Sequence, residues 1–176
     1  TIQYLTENAD HVIIQTPYVI CNGYMYDVLQ GISDHAKLQI VLNAVEKGSN
    51  PWGCTDYLNQ KKKILETGAD VYELMNDYPV HTKAVLINDR LSVVGSYNLD
   101  MRSTYLDTEL MLVIDSEKLS QQIHETESDY MEKSKEVLAN GQETEGAKYQ
   151  GKVLNRKKKL YYGVLRIIIR PLRQLL

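Results

Sequence analysis

Residues 78–109 read YPVHTKAVLINDRLSVVGSYNLDMRSTYLDTE. Two short apolar runs, 83–87 and 91–95, flank Asn88-Asp89, a turn signal, and predict a β-hairpin. The run 109–114 predicts a further strand. His81 and Lys83 stand two residues apart at the head of the first strand, so alternation places both side chains on one face. An imidazole beside an ammonium suits a phosphate-bearing, anionic substrate. Lys83 neutralises a phosphoryl oxygen, and His81 attacks phosphorus or passes a proton. Gly95-Ser96 closes the second strand, where a small residue lets backbone N–H groups approach an anion. Ser96 and Asn98 add side-chain donors. Glu109, on the following strand, is placed to accept a hydrogen bond from the far imidazole nitrogen and fix its tautomer. An HxK pair or a Gly-Ser-x-Asn turn alone arises by chance; their order and spacing together carry the signal.

Upstream of this stretch the chain alternates strands and helices. Residues 12–16 read as a strand stopped by Thr16-Pro17, and 23–36 as a helix with Tyr24, Val28, Leu29 and Ile32 on one face. A second strand follows at 37–45. A helix over 55–67 ends at Gly68, and a third strand spans 70–75. Downstream, Ser116 caps a long helix over 116–139, with Leu119, Ile123, Tyr130, Val137 and Leu138 along one stripe. Residues 140–151, rich in Gly, Glu and Lys, read as a linker. The expected fold is therefore α/β: a mixed β-sheet flanked by helices, parallel at the crossovers and antiparallel at the hairpin.

The 176 residues suffice for one domain of ordinary size, and 43% hydrophobic content supports a packed core, which excludes a wholly disordered chain or a disulfide scaffold. Cys21 and Cys54 lack CxxC spacing and read as buried free thiols. No apolar run reaches the length of a membrane span. The chain opens at Thr1 without a signal-peptide pattern, so a portion of a longer protein is expected. The net charge of -3 hides a division. Residues 152–176 hold eight of the 20 bases and none of the 23 acids, leaving twelve bases against all 23 acids elsewhere. A body of -11 thus carries a tail of +8, the mark of an anionic partner. On a helical wheel Arg156, Lys159, Arg166, Arg170 and Arg173 form one stripe, opposite Leu160, Val164, Leu165, Ile168, Leu172 and Leu175. This pattern predicts a basic amphipathic helix lying on a membrane surface, kinked or broken at Pro171.

The stretch 78–109 resembles the phospholipase D superfamily, whose signature is HxK, four residues, Asp, then Gly-Ser/Gly-x-Asn. The extension Asn98-Leu99-Asp100-Met101-Arg102-Ser103 is similar to the Asp-x-Arg-Ser form of bacterial cardiolipin synthases and related phosphatidyltransferases. Gln15-Thr16-Pro17-Tyr18, Val71-Tyr72-Glu73 and the ending Pro171-Leu172-Arg173-Gln174-Leu175-Leu176 also look like that group. The resemblance implies a half-domain over 1–139 that cleaves a phosphodiester through a phosphohistidine. His81, Lys83, Asn98 and Glu109 would be catalytic. Lys83, Ser96 and Asn98 would hold phosphate; Asn88, Asp89, Gly95, Asp100, Arg102 and Ser103 would support the motif. No cofactor or metal is implied. Two departures stand out. Asn88 occupies the family's Asp position, with Asp89 following, and only one HxK is present, whereas the chemistry needs two facing each other. His11, His35 and His124 lack a Lys partner and read as structural or exposed. The element order looks like the second half of a two-motif enzyme, which favours His81 as general acid and base over His81 as nucleophile.

The implied partners are a phospholipid substrate, a membrane surface through 152–176, and a missing N-terminal half or a second copy of the chain. The implied location is the cytoplasm or the periphery of the inner membrane. A dimeric phosphodiesterase acting on nucleic acid is the competing class, and a non-catalytic half-domain a third. The acidic body argues against nucleic acid, since tracking phosphates requires distributed bases.

Overall fold

A computed structural model describes residues 2–173. In chain order the elements are α1 (Ile2–Thr6), β1 (His11–Gln15), β2 (Val19–Ile20), α2 (Gly23–Ser33), β3 (Lys37–Asn43), α3 (Pro51–Glu66) and β4 (Asp70–Leu74). Then follow β5 (Ala84–Ile87), β6 (Leu91–Gly95), β7 (Leu99–Asp100), α4 (Met101–Tyr105), β8 (Met111–Asp115), α5 (Glu117–Glu132), β9 (Ser134–Val137), β10 (Glu143–Glu145) and α6 (Arg156–Leu172). Eight strands form one sheet in the order β10-β9-β4-β3-β1-β5-β6-β8, while β2 and β7 pair separately. The two crossovers make β1, β3 and β4 parallel, and the hairpin partners β5 and β6 run antiparallel. The expected mixed α/β architecture is the one observed.

Both sheet faces are covered. Val12, Ile14, Leu38, Ile40 and Val71 meet α2 and α3 on one face. Ile13, Val41, Tyr72 and Leu86 meet Ile123 and Tyr130 of α5 on the other. In α2 the buried residues are Met25, Leu29 and Ile32, at helical spacing, while Tyr24 is exposed; the stripe is rotated from the expected one. Helix α3 starts earlier than expected because Asn50 caps it and Pro51 occupies the first turn. It ends where Gly68, at φ +88°, reverses the chain. Cys21 and Cys54 are both free and buried.

Three differences lie downstream. The helix expected over 116–139 stops at Glu132, and Ser134–Val137 instead joins β4 as an antiparallel strand. Lys135 there bonds Glu73 on β4 at 3.0 Å and reaches Glu143 on β10 at 3.3 Å. Cross-strand ion pairs of this kind override the helix preference of a Lys-Glu sequence. Second, the stretch expected as a linker contains β10, which extends the sheet. Third, α6 continues through Pro171 to Leu172 without the expected break, although the proline has no N–H to give the Ile167 carbonyl; so close to the end, only Leu172 follows it in the helix. Tyr162, Leu165 and Ile169 bury against the domain, next to α3. Arg166 donates to Asn59 Oδ1 at 2.8 Å and Arg173 to Asp56 Oδ1 at 2.7 Å. Arg166, Arg173 and Leu165 thus serve the domain rather than the two faces expected of them. Leu175 lies outside the described residues.

Glu127 of α5 is 1% exposed, and neither carboxylate oxygen has a partner. Burial pushes its pKa up to about 8. Its folded value thus exceeds its unfolded one, so its stabilising protonation is complete below about pH 4.5 and lost as pH rises through 8. Urea unfolding at several pH values should show Glu127→Gln removing a decline of up to a few kcal/mol across that window. Parallel pH profiles for the two proteins would contradict a buried, unpaired carboxylate.

Candidate active site

His81 and Lys83 lie just before β5, on the exposed approach to the strand. Asn43, the last residue of β3, fixes that approach. Its carboxamide accepts from Val80 N–H at 2.8 Å, and donates to Val80 C=O at 2.8 Å and Pro17 C=O at 3.1 Å. One buried amide therefore ties the residue before His81 to the Gln15–Tyr18 turn. The sequence offered no sign of this role, because an Asn closing a strand has many uses and its partner is remote.

At the far end of β5, Asn88 adopts φ 52°, a left-handed turn conformation that Asn tolerates. Its Oδ1 accepts from Asp10 N–H at 2.9 Å and His11 N–H at 3.2 Å. Asn88 thus holds the turn by hydrogen bonding alone. Asp89 does not replace it: those amides go to Asn88, and the Asp89 side chain is 81% exposed.

Lys83 Nζ sits 2.6 Å from His81 Nδ1 and donates to the His81 carbonyl at 2.9 Å. Partial burial and the adjacent ammonium both lower the His81 pKa, favouring the neutral imidazole. Partial burial likewise lowers that of Lys83, against the pull of Glu109 and Asp100. Glu109 accepts from the Ser96 hydroxyl and not from His81. The Ser96 oxygen in turn accepts from Leu110 N–H at 3.0 Å, locking the end of β6 to the chain entering β8. Gly95 is required here, because an added Cβ would lie 2.0 Å from the Leu110 carbonyl oxygen.

The remaining motif residues build a second tier. Asp100 caps α4 by accepting from Ser103 N–H at 2.6 Å. Ser103 Oγ accepts from Asn98 N–H at 3.3 Å and from its Nδ2 at 3.4 Å, while Asn98 Oδ1 is buried without a partner. Leu99 N–H donates to Thr16 Oγ1 at 3.2 Å, so the Gln15–Tyr18 turn and the Asn98–Ser103 turn are joined, also through β2 and β7. Arg102 turns away to Asp107 at 3.1 Å. Beside this tier runs a cavity of about 600 Å³, lined by Ile14, Val85, Val93, Tyr97 and Met111 and bordered by Thr16 and Glu109. Glu73, in the Val71-Tyr72-Glu73 stretch, is a buried structural acid. Burial raises its pKa, but Lys61 at 2.8 Å and Lys135 outweigh this and hold it low.

No second imidazole–ammonium pair faces His81 among the described residues. His11 and His124, each read as structural or exposed, converge elsewhere with Asp89, which was read as supporting the motif.

Known proteins resemble this chain over most of its length. The chain is 30% identical to cardiolipin synthase A of Proteus mirabilis over 150 residues, 82% of this chain and 29% of that protein. It is 28% identical to cardiolipin synthase A of Serratia proteamaculans over 152 residues, 84% of this chain and again 29% of that protein. The chain therefore spans less than a third of the length of these curated relatives. Phosphatidylserine synthase of Haemophilus influenzae shares the fold at a TM-score of 0.70 and 16% identity, over 99% of this chain and 44% of that one. Nuc of Salmonella typhimurium, a phospholipase D family member, does so at 0.62 and 14% identity, over 82% and 89%. The family profile described as cardiolipin synthase, phospholipase D-like domain matches residues 1–129. That match covers most of the chain, and this protein belongs to the phospholipase D-like family of cardiolipin synthases.

Proposed function

We propose that this chain supplies one half of a phosphodiester-transferring active site, with a phosphatidyl group as the moiety transferred. The observation that carries the reading is the exposed His81–Lys83 pair, held by Asn43 and Asn88 and lacking an opposite number among the described residues. A complete site needs a second imidazole, so one ring attacks phosphorus while the other handles protons. His81 takes the acid-base role. Its neutral resting form is ready to accept a proton from the acceptor hydroxyl. A bound phosphodiester anion favours the protonated form, which donates to the leaving oxygen. Attack by the opposing imidazole breaks the bond from phosphorus to that oxygen and forms a phosphohistidine. The acceptor oxygen then displaces it. Lys83 and Asn98 supply charge and a donor toward the phosphoryl oxygens, while Ser96, expected to hold phosphate, has its one hydroxyl proton engaged by Glu109 and its backbone N–H by the Leu110 carbonyl. Glu109 acts by fixing Ser96.

Three features favour a lipid over a nucleic acid. The cavity bordering Glu109 is lined mainly by aliphatic side chains, which suits hydrocarbon. The basic charge is concentrated in the tail rather than spread along a groove. Helix α6 also leaves an outer stripe uncovered: Leu160, Val164, Ile167 and Ile168 are 72%, 51%, 71% and 47% exposed. The exposed bases Arg156, Lys157, Lys159 and Arg170 flank it. No helix of the described residues is long and apolar enough to cross a membrane. The stripe instead suits a lipid surface, apolar side chains inward and bases toward headgroup phosphates. It shares Leu160, Val164 and Ile168 with the face the helical wheel suggested, gains Ile167, and loses Leu165 to the domain.

His81→Ala in the assembled enzyme should lower turnover by ~10²–10⁴-fold while leaving the thermal midpoint nearly unchanged. Near-normal turnover would refute the assignment.

The full chain should co-sediment with anionic vesicles, less so at high salt and little with neutral ones. Ile167→Ser on the outer stripe, combined with Lys159→Ala beside it, should reduce binding without unfolding the domain. Undiminished binding by the double variant would refute the lipid-facing stripe.

A further inference from the structure

At the end of β1 opposite the His81–Lys83 pair, three side chains from separate elements meet. They are His11 at the start of β1, Asp89 in the turn between β5 and β6, and His124 on α5. One potential ligand atom from each lies within 4.8 Å of the other two. His11 Nε2 and Asp89 Oδ1 are 3.5 Å apart, and the two imidazole centroids are 6.2 Å apart. We infer that His11, Asp89 and His124 form a binding site for a divalent transition cation, zinc being the best fit.

The His11–Asp89 spacing is close to that of two tetrahedral ligands, roughly 3.3 Å when each stands about 2.0 Å from zinc. Two imidazoles and one carboxylate suit zinc or its neighbours in the first transition row, and not magnesium or calcium, which call for oxygen-rich shells. Three protein ligands leave a fourth position for water, and the exposure of Asp89 gives water access. A separate observation points the same way. His124 Nδ1 is buried and finds no hydrogen-bond partner among the described residues, an arrangement that is costly unless another partner is supplied. The scaffold is already set, since Asn88 Oδ1 binds His11 N–H at 3.2 Å and so holds the turn carrying Asp89 against β1.

The site lies beyond the phosphodiester chemistry. A metal there would touch no residue of the His81 cluster. It would join α5 to β1 and to the hairpin turn, three elements that meet only through folding. Its effect is on stability, because an ion that binds the folded form and not the unfolded chain shifts the equilibrium by mass action.

The test uses the full chain, stripped with a chelator and titrated with zinc by calorimetry and with cobalt by visible absorbance. One ion per chain should bind at neutral pH, and saturating zinc should raise the thermal midpoint by ~5 °C. His11→Ala and His124→Ala should each weaken binding at least ~10-fold, as loss of a ligand requires. Asp89→Asn, on an exposed turn, should weaken it without disturbing the fold. His81→Ala should leave binding unchanged, which separates this site from the candidate active site. Absence of binding up to ~0.1 mM metal, or equal binding by the His11, Asp89 and His124 variants, would overturn the inference.

Discussion

Two carboxamides hold the segment on which the chemistry depends. Asn43 grips Val80 by both its N–H and its C=O, and Asn88 accepts the N–H groups of Asp10 and His11. Between them stand His81, Lys83 and the whole of β5. Each bond contributes only about 1 kcal/mol net, yet a buried amide left unpaired costs more than the bond it lost. The pairing of β5 with β1, whose register sets Gln15 opposite Ala84, follows from these two anchors. So does the meeting of the Gln15–Tyr18 turn with the end of the sheet. The Asn88 geometry also explains why the signature Asp is dispensable here: what the turn requires is an acceptor aimed at two amides, and a neutral oxygen supplies it.

The strand–helix alternation and the hairpin were legible in the sequence because their signals are local: apolar runs of strand length, Asn88-Asp89 between them, a glycine at the end of α3. The site motif was legible for the same reason. What escaped depends on contacts distant in sequence. Ser134–Val137 has the composition of a helix and becomes a strand because β4 offers an edge, with Glu73 there and Glu143 on β10 to receive Lys135. The bases of α6 form one wheel stripe, yet Arg173 reaches Asp56, a buried acid on α3. Asn43 looked like any strand residue. Glu109 was expected to accept from His81, but its bond goes to Ser96, whose hydroxyl lies on the adjoining strand end.

The charge division acquires a physical meaning from the fold. A tail of +8 on a body of -11 is not loosely tethered. It docks on α3 by Tyr162, Leu165 and Ile169, with Arg166 and Arg173 bonded to the domain. The anchored face fixes the orientation of the opposite one, so the apolar stripe and its flanking bases face outward together. A lipid bound there and a phosphodiester bound at His81 would both be positioned by the same domain, one through α3 and α6, the other through the sheet.

The central claim is that this chain holds half of a site. Turnover of a soluble phosphodiester, followed against protein concentration with sedimentation run in parallel, tests it most directly. The account predicts no hydrolysis where the chain is monomeric, and activity only when a second imidazole–ammonium pair is brought opposite His81, by a partner half or a second copy. Hydrolysis by a verified monomer that is lost in His81→Ala would contradict it.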